Sequence, residues 1–199
     1  MKEQIESSFW PFKLDETNLY AYYEQVFSVE ECQKIIDIGK NKYLQKAKVF
    51  NKDKNVEKPD YRDTNICWLT PSDNLEWVYA RLTDVVMTLN EKYFNFDLQG
   101  FMENSQFSNY IAPSGKYKKH MDMNYNCLIR KLSISVQLSN PDDYEGGDLN
   151  VYEGDEGTSL MKSQGSVIVF PSYVLHEVTP VTKGERNALV MWVTGKPFK

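Results

Sequence analysis

From about Asn104 onward the chain follows the two-residue period of β-structure. Leu132, Ile134, Val136 and Leu138 alternate with Lys131, Ser133, Ser135 and Gln137, the pattern of a strand with one apolar and one polar face. Val167-Ile168-Val169-Phe170 reads as a buried strand, and Asn187 to Val193 reads as another. Turn signals divide them at Asn140-Pro141-Asp142-Asp143, Glu145-Gly146-Gly147-Asp148, Gly154 to Gly157 and Lys183-Gly184. Many short strands separated in this way indicate a β-sandwich or jelly roll.

Helices are expected ahead of the strands. Ser28-Val29-Glu30-Glu31 is a capping box with Ser28 as N-cap, and Cys32, Ile35, Ile36 and Gly39 follow at helical spacing. A second capping box is expected at Asp73-Asn74-Leu75-Glu76, after Pro71. It opens a stripe of Leu75, Val78, Tyr79, Leu82, Val85, Val86 and Leu89. The fold class is therefore α+β, mainly β, with amino-terminal helices bracing the sheet. Between the helices, Lys46 to Arg62 is rich in Lys, Asp and Asn and carries Pro59. It has too little apolar surface for a core and is expected to be a mobile loop, either a plain connector or a lid.

The 199 residues fit one domain, with helical support over about 28–95 and a β core over about 104–194. A net charge of -5 argues against a surface that coats nucleic acid. No apolar stretch approaches the ~20 residues of a membrane-crossing helix. Cys32, Cys67 and Cys127 are an odd, scattered set, which suits a reducing cytoplasm better than a disulfide framework. The start Met1-Lys2-Glu3-Gln4 lacks the pattern of a secretory signal.

The two histidines carry the chemistry. His120 lies in His120-Met121-Asp122, and His176 in Tyr173-Val174-Leu175-His176-Glu177-Val178. In a strand, residues i and i+2 point to the same side, so His120 and Asp122 can bind one ion together. A distal histidine would complete two imidazoles and a carboxylate, the donor set of non-haem Fe(II) oxygenases. Ten residues after His176 comes Arg186, whose strand would place Arg186, Ala188, Val190 and Trp192 on one face.

His120-x-Asp122, His176 and Arg186 together resemble the 2-oxoglutarate- and Fe(II)-dependent dioxygenases, nearest the prolyl 4-hydroxylase-like branch. Gln106, Tyr110, Tyr144-Glu145-Gly146-Gly147-Asp148-Leu149 and Gly165-Ser166-Val167-Ile168-Val169-Phe170-Pro171 agree with it. The run from His176 to Arg186 is the most specific part. The ending from Trp192 to Phe198 is similar to short stand-alone members encoded by phages.

The resemblance implies a double-stranded β-helix with iron held by His120, Asp122 and His176. It implies Fe(II), 2-oxoglutarate as cosubstrate and O2, with ascorbate as an accessory reductant. Arg186 is the expected anchor for the far carboxylate of 2-oxoglutarate, since a guanidinium fork matches a carboxylate; Lys131 is the next candidate. Tyr110 matches a tyrosine that contacts the cosubstrate. Gln137 falls where relatives often have a tyrosine on the far carboxylate, and its amide can donate that bond. Tyr61, Arg62, Arg130 and Trp192 are expected on the substrate side.

The implied reaction is hydroxylation of a C–H bond, foremost on a prolyl residue of a protein or peptide, with neither nucleic acid nor membrane as partner. Asp122 favours hydroxylation over halogenation, because halogenating relatives replace that carboxylate with a small residue. Two alternatives stay open. One is a hydroxylase of a free amino acid or metabolite; the other is a catalytically silent jelly-roll binding module.

Overall fold

The computed structural model describes residues 17–51, 54–123 and 129–197. Cys127 and residues 52 and 53 of the expected loop lie outside them. Among the described residues, a nine-stranded sheet runs in the order Ala21–Tyr23, Val167–Pro171, Arg130–Gln137, Val181–Gly195, Ser105–Ile111, Asn65–Leu69, Gln45–Lys46. Tyr144–Gly146 and Leu98–Gly100 pair with other stretches of the long strand Val181–Gly195. A five-stranded sheet runs Glu156–Ser159, Leu149–Glu153, Leu175–Val178, Lys116–His120, Arg62–Asp63. The pairings are antiparallel, and neighbours in space are distant in sequence. This is the expected double-stranded β-helix.

The strand Arg130–Gln137 shows how the layers form. Leu132, Ile134 and Val136 face the helices and join a core with Cys32, Ile35, Leu75, Val78, Leu82 and Leu89. The opposite face carries Ser133, Ser135 and Gln137, and these are buried too. A polar strand face ordinarily meets water. Here it meets the interior between the two sheets.

Helix α1 spans Val29–Asn41 and α2 spans Glu76–Leu89. The Ser28 box forms as expected: Ser28 Oγ accepts from the Glu31 amide at 3.2 Å, and Glu31 accepts from the Ser28 amide at 2.9 Å. Glu31 also receives both ends of the Arg81 guanidinium, at 2.6 and 2.9 Å, which ties the helices together. The second start differs from expectation. Pro71–Asp73 forms a separate 3₁₀ turn, and Asn74 turns left-handed at φ 62° before α2 begins. Asp73 therefore does not cap α2. Its carboxylate accepts from the Thr70 amide, the Thr70 hydroxyl and Lys42.

Two further expectations are corrected. Strand structure does not wait for Asn104: Ala21–Tyr23 and Asn65–Leu69 already belong to the large sheet. Nor is Lys46 to Arg62 irregular throughout. Val49–Asn51 pairs with Lys54–Val56 as a hairpin, and Ala47 and Val49 are buried. A two-stranded ribbon needs few apolar residues, so its composition resembled that of a loop.

Gly39 marks the closest approach of α1 to the sheet. A Cβ there would lie 2.5 Å from the Phe107 ring, well inside contact distance. Helix propensity favours Ala over Gly by about 1 kcal/mol, but forced overlap in a packed core costs about 1–3 kcal/mol. Gly39→Ala is expected to be destabilising on balance, read as a lower urea midpoint at unchanged slope.

Candidate active site

Residues from both sheets line one cavity of about 520 Å³, within the usual range for small-ligand sites. His120 and His176 are direct cross-strand partners on neighbouring antiparallel strands, with ring centroids 4.1 Å apart. Sheet register therefore brings together two residues 56 positions apart in the sequence, 120 and 176. The Nδ1 of His120 lies 2.7 Å from the Lys118 carbonyl, and that of His176 lies 2.9 Å from the Val174 carbonyl. A carbonyl only accepts, so Nδ1 carries the proton and each Nε2 keeps its lone pair free. Burial lowers the pKa of His120, and the neighbouring His176 lowers it further. The imidazole is thus neutral, the form that binds a metal.

Asp122 joins them by a route the alternation argument missed. The strand ends at His120, and Asp122 sits in a bend whose amide donates to Ser172 O at 3.0 Å. Its oxygens lie 3.7 Å from His120 Nε2 and 3.5 Å from His176 Nε2. The ligand-type atoms of all three residues fall within 4.8 Å of one another, a donor set that can hold one divalent ion. Burial pushes the Asp122 carboxyl up, but the two imidazoles, the Trp192 indole and the Ser133 hydroxyl outweigh it and hold the pKa low. The group is a carboxylate at neutral pH.

Arg186 lines the same cavity at 2% exposure. Nη2 donates to Gln137 Oε1 at 2.8 Å, and Tyr110 sits beneath the guanidinium at 5.3 Å. Nε has no partner, and no carboxylate pairs with the side chain among the described residues. A buried cation without a counter-ion is costly, and the Arg186 guanidinium is open to an anionic partner. Gly147 makes room for it: a Cβ there would come within 3.0 Å of Arg186 Cδ. The missing side chain of Gly147 thus opens space for this arginine.

Arg186, Ala188, Val190 and Trp192 all line the cavity, as strand alternation required, and so do Tyr110, Tyr61, Arg62 and Arg130. Tyr61 donates to the Lys119 carbonyl at 2.8 Å. Arg62 lies over the Tyr117 ring at 4.3 Å, and Tyr117 stacks on His120 at 3.4 Å. Gln137 is not among the residues lining the cavity; its side-chain oxygen accepts from Arg186, and one proton of its amide goes to Ser135. Lys131 projects to the opposite face, near Phe96, and cannot replace Arg186. Sequence reasoning missed Trp68, a half-exposed cavity residue 6.2 Å from Trp192. It also missed Glu103, which grips Arg130 with both oxygens at 2.5 and 2.6 Å. Neither carries a local motif.

A jelly roll whose cavity presents two imidazoles and a carboxylate has the construction of the non-haem iron oxygenases. Comparison with known proteins agrees. Residues 105–194 match the model of the 2OG-Fe(II) oxygenase superfamily. A PKHD-type hydroxylase of Shewanella sp. strain ANA-3 is 45% identical over 62 residues, 31% of this chain and 28% of the relative. One from Idiomarina loihiensis is 38% identical over 78 residues, covering 39% and 36%. These matches thus span about a third or less of the curated relatives' length. A Pseudomonas putida prolyl-4-hydroxylase superimposes with a TM-score of 0.71 at 20% identity, covering 91% of this chain and 95% of that one. A Trichoplax adhaerens prolyl hydroxylase, solved with a hypoxia inducible factor oxygen degradation domain peptide fragment, gives 0.73 at 17%, covering 90% and 84%. Residues 105–194 are thus similar to the 2OG-Fe(II) oxygenase superfamily, and the fold is the one shared by the prolyl hydroxylase structures.

The Arg130–Glu103 pair yields a test of the cavity's architecture. Its side chains are 21% and 23% exposed. Removing one partner of a fully buried pair costs about 3–5 kcal/mol, and partial exposure reduces this to about 2 kcal/mol. Glu103→Ala should lose that much stability in denaturant unfolding of the ligand-free protein.

Proposed function

We propose that this chain is a 2-oxoglutarate- and Fe(II)-dependent dioxygenase that hydroxylates a C–H bond, with a prolyl residue of a protein or peptide as substrate. The observation that carries the reading is Arg186: a buried cation without a counter-ion, in the cavity that also holds His120, Asp122 and His176. Ser133, which touches Asp122, and Gln137, which touches Arg186, are four residues apart on one strand, about 13 Å along the backbone. One strand thus supports both the carboxylate of the triad and the arginine.

His120 Nε2, His176 Nε2 and one Asp122 oxygen would hold the metal. Bound Fe(II) with 2-oxoglutarate would reduce O2 and supply the oxidising power for hydroxylation, leaving succinate and CO2. The chain's own residues orient and shield. The carbonyls of Lys118 and Val174 fix both imidazole rings. Arg186 anchors the far carboxylate, and Tyr110 and Ala188 narrow the wall around it. Trp68, Trp192 and Tyr61 line the rest of the cavity with aromatic faces, which suit an apolar ring such as proline. Arg130 is committed to Glu103 and acts by holding Trp192, over which its guanidinium lies at 3.9 Å. The Trichoplax complex supports a peptide substrate by analogy of fold.

A free amino acid or small carboxylate is the second reading. It is favoured by the buried Nε of Arg62, which has no acceptor. The intact donor triad weighs against a silent binding module. Cys32 and Cys67 are buried and unbridged, in keeping with a reducing cytoplasm. Among the described residues no helix is long and apolar enough to cross a membrane.

A peptide screen read by the mass of one added oxygen, with and without 2-oxoglutarate, tests the central claim. Gain on proline peptides supports it; gain on free amino acids alone selects the second reading. Asp122→Ala should abolish turnover and metal binding together. Arg186→Lys keeps charge but loses the fork, so the 2-oxoglutarate Kd should rise about tenfold, ~1.4 kcal/mol. An unchanged Kd in Arg186→Ala would place the anchor elsewhere. Trp68→Ala should raise peptide KM about tenfold while leaving uncoupled 2-oxoglutarate turnover intact. The segment Lys46 to Arg62, in which Lys48 and Val49 line the cavity, is the candidate lid. Its amides should exchange more slowly when a peptide substrate is present, and equal exchange would make it a plain connector.

A further inference from the structure

We propose that Ser172 and Ser133 form a hydroxyl relay that positions the Asp122 carboxylate for metal binding. The inference rests on the reading of His120, Asp122 and His176 as a metal centre, and it names what aims the carboxylate.

The two histidines belong to the five-stranded sheet and are held by its pairing. Asp122 belongs to no strand. An aspartate's terminal torsion is soft and broad, so a carboxylate in a bend needs an outside partner to keep one orientation. The large sheet supplies it. Ser133 Oγ donates to Asp122 Oδ2 at 2.7 Å, and Ser172 Oγ lies 3.0 Å from Ser133 Oγ. Proton counting fixes the direction. An ionised carboxylate has no proton to give, so Ser133 must donate to it. That uses the single proton of Ser133, and Ser172 must therefore donate to Ser133. The chain of bonds runs from Ser172 through Ser133 to Asp122.

Both serines are fully buried, at 1% and 0% exposure. Water does not compete for these hydroxyls, and bonds to a charged acceptor are the strong ones. Ser172 acts twice, because its carbonyl accepts from the Asp122 and Met123 amides at 3.0 and 2.9 Å. It fixes the backbone of the bend directly and the side chain through Ser133. Ser133 lies on a strand of the large sheet, and Ser172 lies in the turn just after the neighbouring strand: Ser133 pairs with Phe170, two residues before Ser172. The third donor of the site is thus aimed by the sheet that does not carry the other two. Ser133 and Ser172 are positioning residues; neither is placed among the metal ligands.

The test uses the metal-free protein and Co²⁺ as probe. Ser133→Ala should raise the Co²⁺ Kd about tenfold or more, the usual effect of losing a bond that orients a metal ligand. It should also shift the visible ligand-field bands, because the freed carboxylate changes its angle to the ion. Ser133→Thr keeps the hydroxyl and should restore both affinity and spectrum. Ser172→Ala should give a smaller loss in the same direction. Melting of each metal-free variant checks folding. If Ser133→Ala fails to fold, Ser172→Ala and Ser133→Thr decide. A wild-type Co²⁺ Kd and spectrum in folded Ser133→Ala, or in folded Ser172→Ala, would overturn the relay and leave the metal centre standing. Failure of the wild-type protein to bind Co²⁺ would overturn the metal centre, and the relay with it.

Discussion

Polar groups can be buried only when they are partnered, and the large sheet of this protein buries polar residues along one whole face. Ser133, Ser135, Gln137, Gln106, Ser108 and Arg186 all turn away from solvent into the space between the sheets. Most find partners within that layer: Gln106 donates to Ser108, Gln137 to Ser135, and Ser133 to Asp122. The atoms left over are informative. Arg186 Nε and Arg62 Nε are buried without an acceptor, and both belong to residues that line the cavity. Among the described residues, Asn150 Oδ1 and Ser166 Oγ, away from the cavity, are also left without a partner.

That polar layer is possible because the other face carries the stability. Helices α1 and α2 lay Cys32, Ile35, Ile36, Val78, Leu82 and Leu89 against Leu132, Ile134, Val136, Leu189 and Met191. A second apolar cluster, with Tyr144, Leu149, Val151, Ile168, Phe170 and Val181, closes the space below the cavity. Between them the site is held rigidly from two sides. The five-stranded sheet sets the imidazoles by register, and the large sheet sets the arginine and aims the carboxylate. Rigid support of this kind is what a preorganised site requires.

Much of this was legible in the sequence because it is local. Strand alternation over Leu132 to Leu138, the Ser28 box and the apolar stripe of α2 depend on residues a few positions apart, and short-range geometry decides them. His120-x-Asp122 and the spacing from His176 to Arg186 were readable for the same reason. So was the shared face of Arg186, Ala188, Val190 and Trp192. The misreadings were local ambiguities resolved by competition. Asp73 could cap α2 or close the turn behind Thr70, and Lys42 nearby favoured the second. Val49 to Val56 could be loop or hairpin on composition alone.

Tertiary structure alone decided which partners these side chains took. Arg130 is bound by Glu103, 27 residues away; Ser133 meets Ser172, 39 away; Arg186 meets Gln137, 49 away. No motif records such pairs, because they follow from strand order and register, which are settled when the sheets close. For the same reason Gln137 came to hold Arg186, and Trp68 entered the cavity from a strand that sequence reading had not assigned. The sequence by itself determined which groups could do the chemistry, since their identity and spacing are written in it. The fold determined which of them face one another, since distance in the chain says nothing about distance across a sheet.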